Sequence, residues 1–154
     1  MATRTWTQQP SILTPSFKVY RATNQTISTD TDTKVSLDTV SLNNEGWFDT
    51  STNYRHTPKF AGWWLYAAKA QIQALDTQKF HDTYLFQNGV SVLAKRTVSP
   101  ATNSDLANFL FTTIEMNGST DYVELFVRQD SSANKTLVGG VGFTFLMGFP
   151  IRRA

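Results

Sequence analysis

His56 and His81 are the only imidazoles in this 154-residue chain, and cysteine is absent. Thiolate chemistry is therefore excluded, whether as a nucleophile, a disulfide or a metal centre. His81 precedes Asp82, a pairing that can orient an imidazole as a general base, and serines are plentiful. No Gly-x-Ser-x-Gly turn presents a serine hydroxyl to such a base, so His81 reads as a surface histidine. The two histidines fall in segments expected to lie far apart, and two are too few for a histidine metal cluster. Asp30 and Asp32 are the best candidates for a cation, but calcium takes roughly 6–8 oxygen ligands and a solvated loop is the expectation. Gly139-Gly-Val-Gly-Phe lacks the Gly-Lys-Ser ending and following helix of a phosphate loop. Its glycines read as strand residues that bend the chain or admit a neighbouring backbone. Asn24, Asn117 and Asn134 begin glycosylation-type triplets, which matter only in a secreted protein. The expectation is a protein without catalytic residues, metal or cofactor.

Length and composition set the frame for these residues. A chain of 154 residues fits one domain with a single core. The formal charge of +2 is spread thinly, with 17% charged residues, which supports neither a nucleic-acid stripe nor an acidic tail. The first ten residues lack the apolar core of a cleaved export signal, and no apolar run approaches the roughly 20 residues that span a bilayer. Ser, Thr and Asn are abundant, favouring strands and loops over helices.

Residues 1–15 carry Pro10 and Pro15 among Thr and Gln and read as an extended arm, with Trp6, Ile12 and Leu13 as its apolar anchors. Residues 16–154 read as one all-β domain. Strands are expected from Phe17 to Ala22, from Lys34 to Leu37 and around Trp47-Phe48, with a polar loop from Asn24 to Thr33. Three of the four tryptophans lie between Gly46 and Ile72, where turns at Asp49 to Asn53 and Ala61-Gly62 precede a long strand from Trp63 to Ile72. Asn88-Gly89 predicts a type I′ hairpin joining Thr83–Gln87 to Val90–Arg96, because both central residues of that turn need positive φ. Asn117-Gly-Ser-Thr predicts a second hairpin joining Ala107–Met116 to Asp121–Gln129, and Val138 to Ile151 closes the chain as a strand pair or one bent strand. That makes nine or ten antiparallel strands, a two-sheet sandwich.

Several strands are apolar on both faces. In Asp121-Tyr-Val-Glu-Leu-Phe-Val-Arg, Val123, Leu125 and Val127 form a core face, while Tyr122 and Phe126 lie opposite. Tyr84 and Phe86, and Phe143 and Phe145, repeat the pattern. A sandwich buries one face of each sheet, so these six aromatics are expected to meet another copy of the chain.

From Phe17 to the end, the order of motifs resembles the trimeric globular heads of the complement q-type subunit, whose jelly roll of ten strands is shared with tumour necrosis factor. The matching pieces are Phe17-Lys-Val-Tyr-Arg, Val35 to Asn44 leading to Phe48-Asp49, and Tyr54-Arg-His-Thr-Pro-Lys-Phe-Ala-Gly-Trp-Trp-Leu. Tyr84-Leu-Phe-Gln-Asn-Gly, Met116-Asn-Gly-Ser-Thr-Asp-Tyr-Val-Glu-Leu and Gly142-Phe-Thr-Phe-Leu-Met-Gly-Phe follow in order. The resemblance implies a homotrimeric jelly roll. The collagen-like stalk of the animal proteins is missing, and stalkless modules rich in Asn and Thr look like those of tailed-bacteriophage virion proteins.

That likeness implies a non-enzymatic virion protein assembled in the host cytoplasm: a capsid decoration or knob docked by its arm onto the major capsid protein or a tail component. The alternative is an adhesin that recognises bacterial surface glycan through exposed loop residues such as Asn103, Asp105, Ser131 and Asn134. Neither reading involves nucleic acid or a membrane.

Overall fold

The computed structural model describes residues 15–153, which contain thirteen β-strands and no helix. The proposed anchors Trp6, Ile12 and Leu13 lie outside the described residues. Two antiparallel sheets form the sandwich. The first is built on β7 (Ala61–Leu75), whose one edge pairs throughout with β10 (Ser104–Asn117). Its other edge is shared by β13 (Phe145–Arg153) and β12 (Lys135–Leu137). β1 (Phe17–Tyr20) and then β4 (Thr39–Asn43) continue the sheet beyond β13, and β2 (Gln25–Ile27) continues it beyond β12. The second sheet orders β5 (Phe48–Asp49), β6 (Arg55–His56), β11 (Val123–Gln129), β8 (Phe80–Gln87) and β9 (Val90–Val98), with β3 (Thr33–Lys34) also on β11.

The core follows from strict alternation along the two central strands. Trp64, Tyr66, Ala68, Ala70 and Ile72 of β7 point inward and are fully buried, facing Leu85 of β8 and Val123, Leu125 and Val127 of β11. His56 is buried with them. Its Nδ1 lies 2.9 Å from the Tyr66 hydroxyl, a hydrogen bond between the sheets, and its ring stacks on Phe17 at 4.3 Å. Burial pushes its pKa down to about 3.

Several expectations change. Ala61-Gly62 is not a turn but the start of β7, where Gly62 at φ 148° faces Met116 and Arg153 in the ladders. The loop from Asn24 to Thr33 contains β2, held by β12 and anchored by buried Ile27. The strand expected from Lys34 to Leu37 is confined to β3, after which the Val35 amide still bonds the Leu125 carbonyl of β11 and both Val35 and Leu37 are buried. The largest change concerns Asn117-Gly118, which joins no hairpin: β10 lies in the first sheet and β11 in the second. Asn117 Oδ1 accepts from the amides of Ser119, Thr120 and Asp121, and Asp121 Oδ2 accepts from the Asn117 amide. These side-chain bonds close a tight crossover between sheets, and Gly118 at φ 72° has no room for a Cβ against Phe60 and Ala61. The hairpin at Asn88 (φ 54°) and Gly89 (φ 80°) forms as expected, because its geometry is local.

Candidate functional site: two outer faces and a loop tip

The six proposed contact aromatics do not form one patch. Tyr84, Phe86, Tyr122 and Phe126 lie on the outer face of the second sheet; Phe143 and Phe145 lie with the first. On the second sheet Phe86 and Phe126 stack with centroids 4.4 Å apart, and Tyr84 meets Phe86 edge-on at 5.8 Å. Long cations from flanking strands lie over these rings. Arg55 sits 4.2 Å from the Tyr122 ring, Lys34 5.7 Å from Phe126, and Arg96 3.8 Å from Phe80.

Two carboxylates hold that roof in place. Asp82, almost fully buried, receives both Nε (2.7 Å) and Nη2 (2.6 Å) of Arg96 and the Tyr84 hydroxyl (2.8 Å). Burial pushes the Asp82 carboxyl up, but the bonds from Arg96 and Tyr84 outweigh it and leave the pKa below its ordinary value. Burial, with Asp82 beside it, lifts Tyr84 to about 12. Buried Glu124 receives Lys34 Nζ at 2.5 Å. The aromatic rings of this face are thus roofed by the chain's own side chains.

The first sheet's outer face is bare by comparison. Register places Phe109 beside Lys69 and Phe145, and Phe111 beside Ala67 and Met147, with Leu65 next to Phe149 and Trp63 beyond. Phe109 is 56% exposed and Phe111 70%; Phe143, Phe149, Ile151 and Trp63 are exposed too. Two cations stand on this face. Lys18 lies 5.0 Å from the Phe145 ring, and Lys69 lies 5.7 Å from Phe143 while donating to the Gly142 carbonyl. Between β1, β4 and β13 an open groove of about 510 Å³ is lined by Ser16, Phe17, Lys18, Leu42, Met147 and Phe149. Phe109 and Phe111 were not among the aromatics expected at a contact, although Asn108-Phe-Leu-Phe carries the same doubling as Tyr84-Leu-Phe.

The proposed loop contacts are gathered at one end. Asn103, Asp105 and Asn134 are exposed there, but Ser131 is buried and works structurally. Its Oγ accepts from the Asp76 amide and its carbonyl from the Thr29 hydroxyl. Asp76 also receives Lys135 Nζ at 2.9 Å and the amide and hydroxyl of Ser132, bonds that lower its pKa to about 2. Thr77 and Thr102 share a 2.6 Å hydrogen bond. Three loops are thereby tied into one tip.

The remaining candidates have structural roles. His81 is buried, not at the surface: its Nε2 meets the Thr83 hydroxyl at 2.9 Å, in a network where Asn108 bonds the carbonyls of His81 and Lys95. Burial lowers its pKa to about 4 against the opposing pull of Asp82. Asp30 pairs with Arg128 at 3.2 Å, and among the described residues no three His, Cys, Asp or Glu are grouped to hold a metal. Gly139 lies outside the strands, in the irregular segment after β12, its Cα facing Thr23 so closely that a Cβ would collide with that backbone.

Sheet order, core and crossovers define a jelly roll of the tumour-necrosis-factor type. Among solved structures the chain is similar to murine APRIL at pH 8.0, with TM-score 0.65 and 9% identity over 89% of this chain and 98% of that one. It is also similar to Eiger TNF from S. frugiperda, with TM-score 0.59 and 12% identity over 91% of this chain and 95% of that one. At such low identities the likeness shows the shared fold alone. No protein-family model matches the sequence, and no curated protein matches it.

Proposed function

We propose that this chain is a homotrimeric surface module of a tailed-bacteriophage virion, a non-enzymatic decoration or knob docked by its amino-terminal arm. The observation that carries the reading is the polarity of the molecule. Ser16, where the arm joins the domain, is level with Leu65 of β7, since Phe17 pairs with Gly148 and Phe149 with Leu65. The loop tip begins after Leu75, ten residues further along the strand. At 3.3 Å per residue that separation is roughly 33 Å, so an arm anchored to a particle presents the loops outward.

The bare face of the first sheet supports self-association. Its Phe109 and Phe111 ridge lies at one margin and its apolar groove at the other, so ridge and groove are different surfaces. Contacts between different surfaces close into a ring when the rotation between copies allows it, and a trimer is the smallest such ring. The virion assignment rests on the sequence resemblance described above. Light scattering on the purified chain is expected to give three times 17.3 kDa; a monomer at micromolar concentration overturns the trimer. Density for the domain on the capsid lattice or tail in an electron-microscopy map of the particle is the test of location.

A second reading, an adhesin for bacterial surface glycan, is favoured by one observation. Asp76 and the Thr77–Thr102 bond lock three polar loops into a single rigid tip. Loop swaps at Asn103 and Asn134 that leave host adsorption unchanged would remove it.

A further inference from the structure

Along one side of the sandwich the two sheets are joined by side chains. β9 pairs with β8 and β10 with β7, so among the described residues no backbone ladder links β9 to β10. Asn108 of β10 spans that seam. Its Nδ2 donates to the His81 carbonyl of β8 at 2.9 Å and to the Lys95 carbonyl of β9 at 3.0 Å, and its Oδ1 accepts from the Thr97 hydroxyl at 2.6 Å. In the same seam a cleft of about 170 Å³ lies between Leu93, Ala94 and Lys95 of β9 and Phe109, Leu110 and Phe111 of β10.

The residue that Asn108 clasps, His81, is fully buried. Its Nε2 lies 2.9 Å from the Thr83 hydroxyl, whereas its Nδ1 makes no well-formed hydrogen bond and only approaches the Leu106 backbone. A neutral imidazole has one N–H to satisfy; the cation has two. The site gives the ring one good partner, Thr83. Asp82, next in the strand, turns its carboxylate to the outer face, where Arg96 of β9 and Tyr84 hold it. From β9 Lys95 contributes its carbonyl to Asn108, and β11 places Gln129 opposite His81. Lys79 and Asp130 pair with each other near the start of β8, and Asp105 of β10 is exposed and accepts from the Ala74 amide. The inward residues Ala68, Ala70 and Ile72 of β7 carry no charge. A proton on His81 therefore creates a buried cation with no carboxylate bonded to it.

We infer that His81 and Asn108 form an acid latch: a proton on His81 breaks the Asn108 clasp, and β9 and β10 part along the seam, opening the cleft to water. The inference goes beyond the proposed function, because the latch lies within one subunit. Phe109 follows Asn108 directly, so an open seam also disturbs the exposed ridge; that consequence alone rests on the self-association reading.

Burial holds the pKa of the closed site at about 4, against 6.5 for a free imidazole. Opening is therefore suppressed above 6.5 and favoured up to ~10-fold per pH unit as the pH falls from there toward 4. In the unaltered chain the side-chain amide protons of Asn108 report on the clasp. Their exchange, corrected for the intrinsic rate at each pH, is expected to lose at least ~10-fold of its protection between pH 7 and 4.5. Unchanged protection overturns the inference. Because cysteine is absent, one introduced thiol reads the cleft. Leu110→Cys, at a position 3% exposed, is expected to react at least ~10-fold faster at pH 4.5 than at pH 7, each rate taken relative to the unfolded chain at the same pH. Leu146→Cys, in the core, is expected to stay at least ~10-fold less reactive than Leu110→Cys at pH 4.5; equal reactivity means global unfolding and overturns the latch. His81→Gln, which keeps a donor and an acceptor but does not titrate, is expected to abolish the acid response of Leu110→Cys. A response of the same size overturns the role of His81. None of these readouts depends on subunit number or particle binding, so their failure leaves the proposed function standing, and a monomer in light scattering leaves the latch standing.

Discussion

Both sheets carry aromatic residues on their outer faces, yet only one of those faces is left bare. On the second sheet the flanking strands β3, β6 and β9 contribute Lys34, Arg55 and Arg96, whose side chains reach over the rings and end on Glu124, Tyr122 and Asp82. On the first sheet β10 is a margin with no strand beyond it among the described residues, and Lys18 and Lys69 are engaged with Phe145 and Phe143. Phe109 and Phe111 therefore stay open to solvent. Aromatic content alone does not mark a contact surface; what decides is whether a neighbouring strand can place a long side chain across it.

The sharpest way to break this contrast is one substitution on each face. Phe111→Glu is expected to weaken self-association at least ~100-fold, as loss of a central apolar anchor does, and to convert the assembly to monomer in light scattering. Thermal stability should hardly move, because Phe111 is 70% exposed within the subunit. Phe126→Ala should do the reverse, lowering the unfolding temperature while the molar mass stays the same. Identical mass effects from both variants would sink the distinction.

The next effect tests the roof. Asp82→Ala removes a buried acceptor of three hydrogen bonds, while Arg96, already largely exposed, can return to water. The expected cost is about 1–3 kcal/mol in urea unfolding, with the subunit number unchanged. A loss below about 0.5 kcal/mol would show that the pair behaves as an ordinary surface salt bridge.

Acid should separate the core from the roof. The unfolded chain protonates its histidines near 6.5, whereas the folded chain resists until about 4 at His81 and about 3 at His56. Below 6.5 the unfolded state binds more protons, so stability that is complete above that pH falls as the pH drops toward 3. Each histidine removes up to about 1.4 kcal/mol per pH unit in that window. Asp82, with its pKa lowered, gives up its share only below the ordinary carboxylate value of 3.8. Urea midpoints at pH 7 and 4.5 should therefore differ through the core while the roof remains charged. Equal midpoints would contradict the burial of both imidazoles.

How much of this was legible in the sequence depended on the range of the physics involved. The Asn88-Gly89 hairpin was readable because two residues set their own dihedral angles. The alternation in β11 gave its core face, Val123, Leu125 and Val127. Asn117-Gly118 offered a similar local cue and misled, because β10 pairs not with the strand that follows but with β7, far earlier in the chain, and no turn signal encodes that choice. The three-residue strands β2 and β12 are too short and polar for a pattern of their own and exist by pairing with each other and with β7. The cover over Tyr122 and Phe126 was equally hidden, since Arg55 and Lys34 reach it only through sheet order.

The smallest expected effect asks what the roof does with its charge. Arg55 lies 4.2 Å from the Tyr122 ring near the sheet surface, a geometry in which a cation contributes about 0.5–1 kcal/mol. Arg55→Ala removes both the charge and the aliphatic stem; Arg55→Met keeps a stem of similar reach without the charge. If the attraction is electrostatic, both variants should lose the same small amount in thermal unfolding, and raised salt should narrow their gap to wild type. A stability for Arg55→Met equal to that of the unaltered chain would mean that the stem matters because it excludes water. In that case any long side chain from a flanking strand could close such a face. The exposed Phe109 and Phe111 would then owe their openness to the missing strand beyond β10 alone.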